Sequence, residues 1–292
     1  MGRKESNSKQ GEETKQSRWG FRGMTVRDWL QLLIVPVALV VISFLFTVQQ
    51  DQRQQRIENQ RAEAERELAE QNAQDEALQA YLDQMSTLML EKDLRNSEED
   101  SEVRTLARAR TLAVLKRLDP SRKADVAQFL IDAQLVHRVI SLEGADLSGL
   151  DLEHPQLWNA DLSDANLSNA VLSGRTAILT DTNLYGADLS GADLSGAYLG
   201  GANLRNADLR EANLSKAGLN GAYLRGADLR EANLSDADLT SANLSSADLS
   251  RADFSEAELR WADLSRTKGM SNEELEQETS SLEGATMPNG QK

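Results

Sequence analysis

Two histidines, His137 and His154, and no cysteine make up the chain's stock of the side chains that most often carry nucleophilic or metal chemistry. A serine nucleophile needs a base beside it, and neither histidine lies in a recognisable motif. Both read as surface or cap residues. Without thiols there is no disulfide framework, zinc ribbon or cysteine nucleophile. No HExxH, EF-hand or phosphate-binding glycine loop is present. The reading is therefore of a protein that is not an enzyme, with no metal and no cofactor. The abundant chemistry is carboxylate. Asp188, Asp208, Asp228 and Asp248 recur at a 20-residue interval. Stacked ~4.8 Å apart, they would repel one another by ~1 kcal/mol per neighbour in water. Such a column is either a solvated face, softened by arginines such as Arg205 and Arg225, or an acidic surface for a basic protein partner. Its carboxylates are too evenly spaced to enclose one cation.

What positions that column is a repeat. A leucine or phenylalanine returns every five residues from Leu142 to Leu172 and again from Leu179 through Phe254 to Leu264. Of these 25 positions, 21 have alanine two residues earlier, the exceptions being Ile140, Leu150, Pro155 and Thr182. On an α-helix, five residues advance the chain by ~500°, so the leucines would wander around the axis. On extended backbone the two apolar residues share one side and the Asp or Asn between them takes the other. The unit is then a short extended triplet followed by a two-residue polar corner. The string ADLREANLS at 207–215 returns at 227–235, four units on, which predicts four sides per turn. Two extra residues within Ser173, Gly174, Arg175 and Thr176 should bulge at a corner.

The repeated A-(D/N)-L-x-x unit resembles the pentapeptide-repeat family. That resemblance implies a mainly β fold, a right-handed quadrilateral β-helix of about six coils. It also implies a second functional option, because some members mimic DNA and act on DNA gyrase. One unit cannot order itself, since five residues lose ~5–10 kcal/mol of backbone entropy while one buried leucine returns ~1.5–3 kcal/mol. Stability must come from stacking.

Ahead of the repeats, residues 1–28 are polar, net +3 and expected to be a disordered basic segment, with a formal N-myristoylation start at Gly2. Residues 29–48 run twenty positions without a charge, enough to span ~30 Å of hydrocarbon and read as a single transmembrane helix contacting the lipid bilayer. The long lead-in and the lack of a small-x-small site after Val48 argue against a cleaved signal peptide. Lys plus Arg number seven in the 28 residues before this stretch and four in the 28 after, which points to a cytoplasmic N-terminus with the repeats outside a bacterial membrane. Residues 49–75 read as a helical stalk with unsustained coiled-coil heptads. Residues 76–138 read as a helical unit capping the solenoid, with a third helix opening at Asp119-Pro120. The β-helix occupies 139–267. A cap helix with a Ser271/Glu274 capping box, then two degenerate units at Leu282 and Met287, fill 268–292.

The net charge of −15, with −11 carried by 142–266, argues against direct contact with nucleic acid. The expectation is a membrane-anchored scaffold that holds a rigid acidic β-helix off the bilayer for a protein partner. The alternative is a DNA-mimicking modulator of gyrase or topoisomerase. A homodimer through the coil or the stalk is compatible with either.

Overall fold

The computed structural model describes residues 25–292, Glu153 and the Trp29 side chain apart. The expected basic segment and its N-myristoylation start therefore lie outside the described residues up to position 24. Contacts divide the chain into two compact units, Met1–Glu67 and Leu68–Lys292. One helix, α1 (Val26–Glu91), contributes to both.

In the first unit, α1 opens on Thr25, whose hydroxyl and backbone N–H both donate to Asp28. It starts three residues before the expected span because this cap, and not the first apolar residue, sets the helix start. Its apolar stretch is long enough to cross a membrane, with a mean hydropathy of 2.6 and none of that window buried. Leu30, Leu39, Phe44 and Phe46 are all exposed. The hydroxyl of Thr47 donates to the Ser43 carbonyl at 2.9 Å, so this polar group is satisfied within the helix.

In the second unit, α1 ends at Glu91 and a left-handed Asp93 starts a 3₁₀ turn, Leu94–Asn96. Two further helices follow, α2 (Glu102–Leu115) and α3 (Pro120–Asp132). Asp119 caps α3 by accepting from the Arg122 N–H at 3.0 Å, with proline at the first helical position. Arg122 also donates to Asp75 of α1 at 2.7 Å, and Asp119 N–H donates to Gln74. Tyr81 of α1 shares a buried 3.0 Å hydrogen bond with Thr111 of α2 and meets Phe129 of α3 edge-on at 6.2 Å. Burial drives these helices together around Met85, Leu115, Val126 and Leu130, and one continuous apolar cluster runs from Tyr81 through the repeats to Met287.

The repeats form a coil. Parallel bridges join residues 20 apart, such as Asp188 with Asp208 and Asn203 with Tyr223, so each turn consumes four units. Across the bulge the offset becomes 22, as in Gln156 with Ile178, and it returns to 20 at Ile178 with Tyr198. The two extra residues are thus looped out, with Gly174, Arg175 and Thr176 exposed. The ladder from Asp146 to Lys268 makes six steps, or ~29 Å at the spacing of paired strands. Among the described residues there is no continuous strand, although each expected triplet does turn its alanine and leucine inward and its middle residue to the neighbouring turns. Only the middle residue of each unit bridges its neighbours. A corner with positive φ recurs every fifth residue and interrupts pairing before a strand can grow.

Units with aspartate at the centre satisfy their backbone N–H groups in a recurring way, visible around Asp188. The Asp188 N–H donates to the Ala165 carbonyl and the Leu189 N–H to the Asp208 carbonyl, making two rungs. The Ser190 N–H donates to the Asp188 side chain at 3.0 Å. The Gly191 N–H donates to the Arg210 carbonyl, and the Ala192 N–H closes a turn onto the Leu189 carbonyl. Five donors find five acceptors, so the narrow coil leaves none of them unpaired. Inside, alanines and leucines from Ala160 to Leu264 are buried, and Thr182 survives there by donating its hydroxyl to the Leu157 carbonyl at 2.7 Å.

Both ends are covered. At the first turn, buried Lys123 of α3 bonds Asp146 at 2.9 Å and Ser148 at 3.1 Å. At the last, α4 (Asn272–Glu278) carries the full Ser271/Glu274 capping box and inserts a fully buried Leu275. Ser281 and Thr286 bridge back to Glu258 and Asp263, so the two degenerate units complete the ladder.

Candidate interaction surface

The four aspartates of interest stand in one ladder, Asp188, Asp208, Asp228 and Asp248, as their spacing requires. The first duty of each is local. Asp188 Oδ1 accepts from the Ser190 N–H and hydroxyl, and Asp248 Oδ1 does the same for Ser250 at 3.1 and 2.6 Å. Asp208 and Asp228 accept from the N–H groups of Arg210 and Arg230. The preference for Asp or Asn at this position is thereby explained: a short side-chain oxygen reaches the N–H two residues on.

The column is also partly neutralised. Arg210 pairs with Asp208 at 2.5 Å and reaches Asp228 at 3.8 Å, while Arg230 pairs with Asp228 at 2.6 Å. The hydrogen bond from Arg210 holds the Asp208 carboxyl below its ordinary value, and that from Arg230 does the same for Asp228. The ladder ends at Lys268, and Lys123 pairs with Asp146 at its other end. The expectation that Arg205 and Arg225 soften the column is corrected. They follow the preceding side of the coil, and Arg205 lies over the Tyr223 ring at 4.6 Å. Arg210 and Arg230 follow the column itself, and the same 20-residue shift that exposed the aspartates marks them.

A second ladder is amide-based. Asn183 donates to Asp161 and Asn203 donates to Asn183, both at 2.9 Å. Burial would raise the Asp161 carboxyl, but bonds from Ser141, Ser163 and Asn183 outweigh it and hold it low. Near the start of the coil, Arg104, His137, Arg138, Ser141 and Asp161 line a cleft of about 490 Å³. Arg104 is committed there to the carbonyls of Ser97 and Arg138. His137 stacks on Trp158 at 4.1 Å, and His154 bonds Thr176 beside the bulge at 2.9 Å. Among the described residues no three His, Asp or Glu side chains converge to hold a metal ion.

The profile of the family described as pentapeptide repeats matches eight copies, over residues 140–174, 175–196, 192–231 and 232–268. HetL, a pentapeptide repeat protein involved in heterocyst differentiation regulation from the cyanobacterium Nostoc sp. strain PCC 7120, is 30% identical over 51% of this chain and 86% of its own, with a TM-score of 0.22. The chain is a pentapeptide-repeat protein. Membership implies a right-handed β-helix for the coil. A pentapeptide repeat protein from the Arabidopsis thaliana thylakoid lumen is 36% identical over 35% of this chain and 61% of its own, with a TM-score of 0.24. This pentapeptide-repeat protein thus spans less than two thirds of that relative's length. QnrB1, a plasmid-mediated fluoroquinolone resistance protein, is 19% identical over 51% of this chain and 80% of its own, with a TM-score of 0.26. No curated protein matches the chain.

Proposed function

We propose that this protein is a non-enzymatic scaffold, anchored in a membrane by a single pass, whose β-helix presents a rigid surface to a protein partner. The observation that carries the anchor is the apolar stretch of α1, whose exposed side chains no protein core covers. Exposed leucines and phenylalanines on that scale would aggregate in water and are accommodated by lipid. The partner-binding role is supported by a coil whose polar groups are occupied in holding the fold together, leaving recognition to its outer surface. The lysine and arginine balance around the span supports a cytoplasmic N-terminus and repeats outside.

Sidedness tests this reading. In a cysteine-free chain, Ser246→Cys places one thiol on an exposed corner. Labelling of intact cells by a membrane-impermeant maleimide is the expected result. Labelling only after lysis would place the repeats in the cytoplasm. The gyrase-modulator alternative would then become testable, as inhibition of supercoiling by residues 68–292. Recovery of the full chain in the soluble fraction would overturn the anchor.

A further inference from the structure

We infer that a groove formed by Arg205 and Arg225 docks an acidic peptide segment of a partner protein. Asn206, Gly226 and Ser246 complete this groove of about 380 Å³, and no carboxylate lines it. Among the described residues neither arginine makes an ion pair, whereas Arg210, Arg230, Arg251 and Arg260 each do. In a chain of net charge −15, two arginines without acidic partners in one groove stand out.

The coil's register sets their relation. Asn203 bridges Tyr223, so Arg205 and Arg225 occupy equivalent positions on successive turns, ~4.8 Å apart along the axis. Like charges that close repel by ~1 kcal/mol in water, and a carboxylate between them turns the repulsion into two attractions. Guanidinium groups suit that task because each offers a planar fork to two oxygens. Arg205 is held in place by the Tyr223 ring, and Asn206 donates to the Tyr185 hydroxyl at 3.2 Å. Tyr185 and Tyr223 are 44% and 45% exposed, and they supply flat apolar area beside the charge. Arginine beside tyrosine is the composition of binding hot spots.

The coil as a whole is strongly acidic and repels acidic chains, so affinity for one requires a local cationic site such as this groove. A peptide fits better than a free anion, which would leave both tyrosines untouched. The inference rests on the scaffold reading and gives it a face.

The test is fluorescence anisotropy with the full chain in zwitterionic detergent, using a fluorescein-labelled peptide of alternating glutamate and tyrosine. Arg205→Gln/Arg225→Gln and Arg210→Gln/Arg230→Gln change the net charge equally. We expect the first pair to weaken binding at least tenfold and the second to change it less than twofold. Equal losses from both pairs, absence of binding by the unaltered chain, or displacement by equimolar inorganic phosphate would each overturn the groove. A photoreactive phenylalanine analogue at position 246, or at 236 on the diagonally opposite corner, separates this inference from its parent. Cross-links to one partner from 246 and not 236 support the groove. Cross-links from 236 alone retain the scaffold and overturn the groove, and none from either position overturns both.

Discussion

Corner residues carry much of the backbone tension in this coil. Among the described residues, fifteen non-glycine residues of the coil have positive φ, among them Glu231 at 62°, Ser246 at 62° and Trp261 at 57°. A side chain there costs ~1–2 kcal/mol relative to the right-handed region, and β-branching makes it worse. Ser246→Val should therefore lower stability by about 1–2 kcal/mol while Ser246→Gly leaves it near the original, as read by chemical denaturation. Gly269 is a stricter case. At a φ of 84°, an added Cβ would run into the Ser250 backbone, so Gly269→Ala must displace main chain and should cost more than Ser246→Val. Single residues also decide the seal at the first turn. Lys123 is 5% exposed and its partner Asp146 36%. Asp146→Ala strands a buried ammonium and should destabilise by ~3–5 kcal/mol, whereas Lys123→Met leaves a carboxylate that water can still reach and should cost less. Equal losses in thermal melts would contradict this account of the seal.

Element by element, the outcome depends on how local each signal is. The α3 cap follows from the adjacent pair Asp119-Pro120 and the α4 capping box from residues three apart, and both formed where the sequence placed them. The ladder of Asp188, Asp208, Asp228 and Asp248 was equally legible, because identity at a 20-residue shift records the turn directly. Less legible was what each element does with its polar side chains. Arg205 turns to Tyr223 and Arg210 to Asp208, though both are arginines after a leucine. What separates them is which side of the coil precedes the corner, a relation visible only once the turn is closed. Lys123 was silent for a similar reason, since its partners lie 23 and 25 residues away across the cap. Replacing Asp119 with alanine should remove the α3 cap and the Arg122 pairing together, costing ~1–2 kcal/mol by thermal denaturation. Tyr81, pushed up to about 12 by burial, offers a pH test of the helical cap. Its folded-state value exceeds the unfolded one, so its contribution is intact below pH 10 and is lost as pH rises towards 12. Tyr81→Phe should abolish that alkaline slope while lowering stability at neutral pH by ~1 kcal/mol through the lost Thr111 bond.

Across the whole molecule, stability is the sum of many equivalent rungs, and acid is the condition that addresses them together. Asp146, Asp161, Asp208, Asp228 and Asp253 are all held below their ordinary value of 3.8. A depressed folded value means stability is present above the unfolded pKa and is lost as pH falls through the folded one. Thermal midpoints of residues 68–292 should accordingly hold steady from pH 7 to about 5 and drop below about 4. A flat profile down to pH 2 would show that these carboxylates contribute little. The bulge at Gly174 and Arg175 carries one more consequence. Bridges resume beyond it with their partners intact although two residues have been added, so the fold keeps count of corners and ignores residue number. Length is then quantised. Excising 207–226 would join Asn206 to Ala227, the counterpart of Ala207, and present Asp188 directly to Asp228. Such a chain should remain a continuous coil one storey shorter, whereas removal of twenty-two residues, 207–228, would also take the inward Ala227 and the bridging Asp228 from the next unit and should not fold.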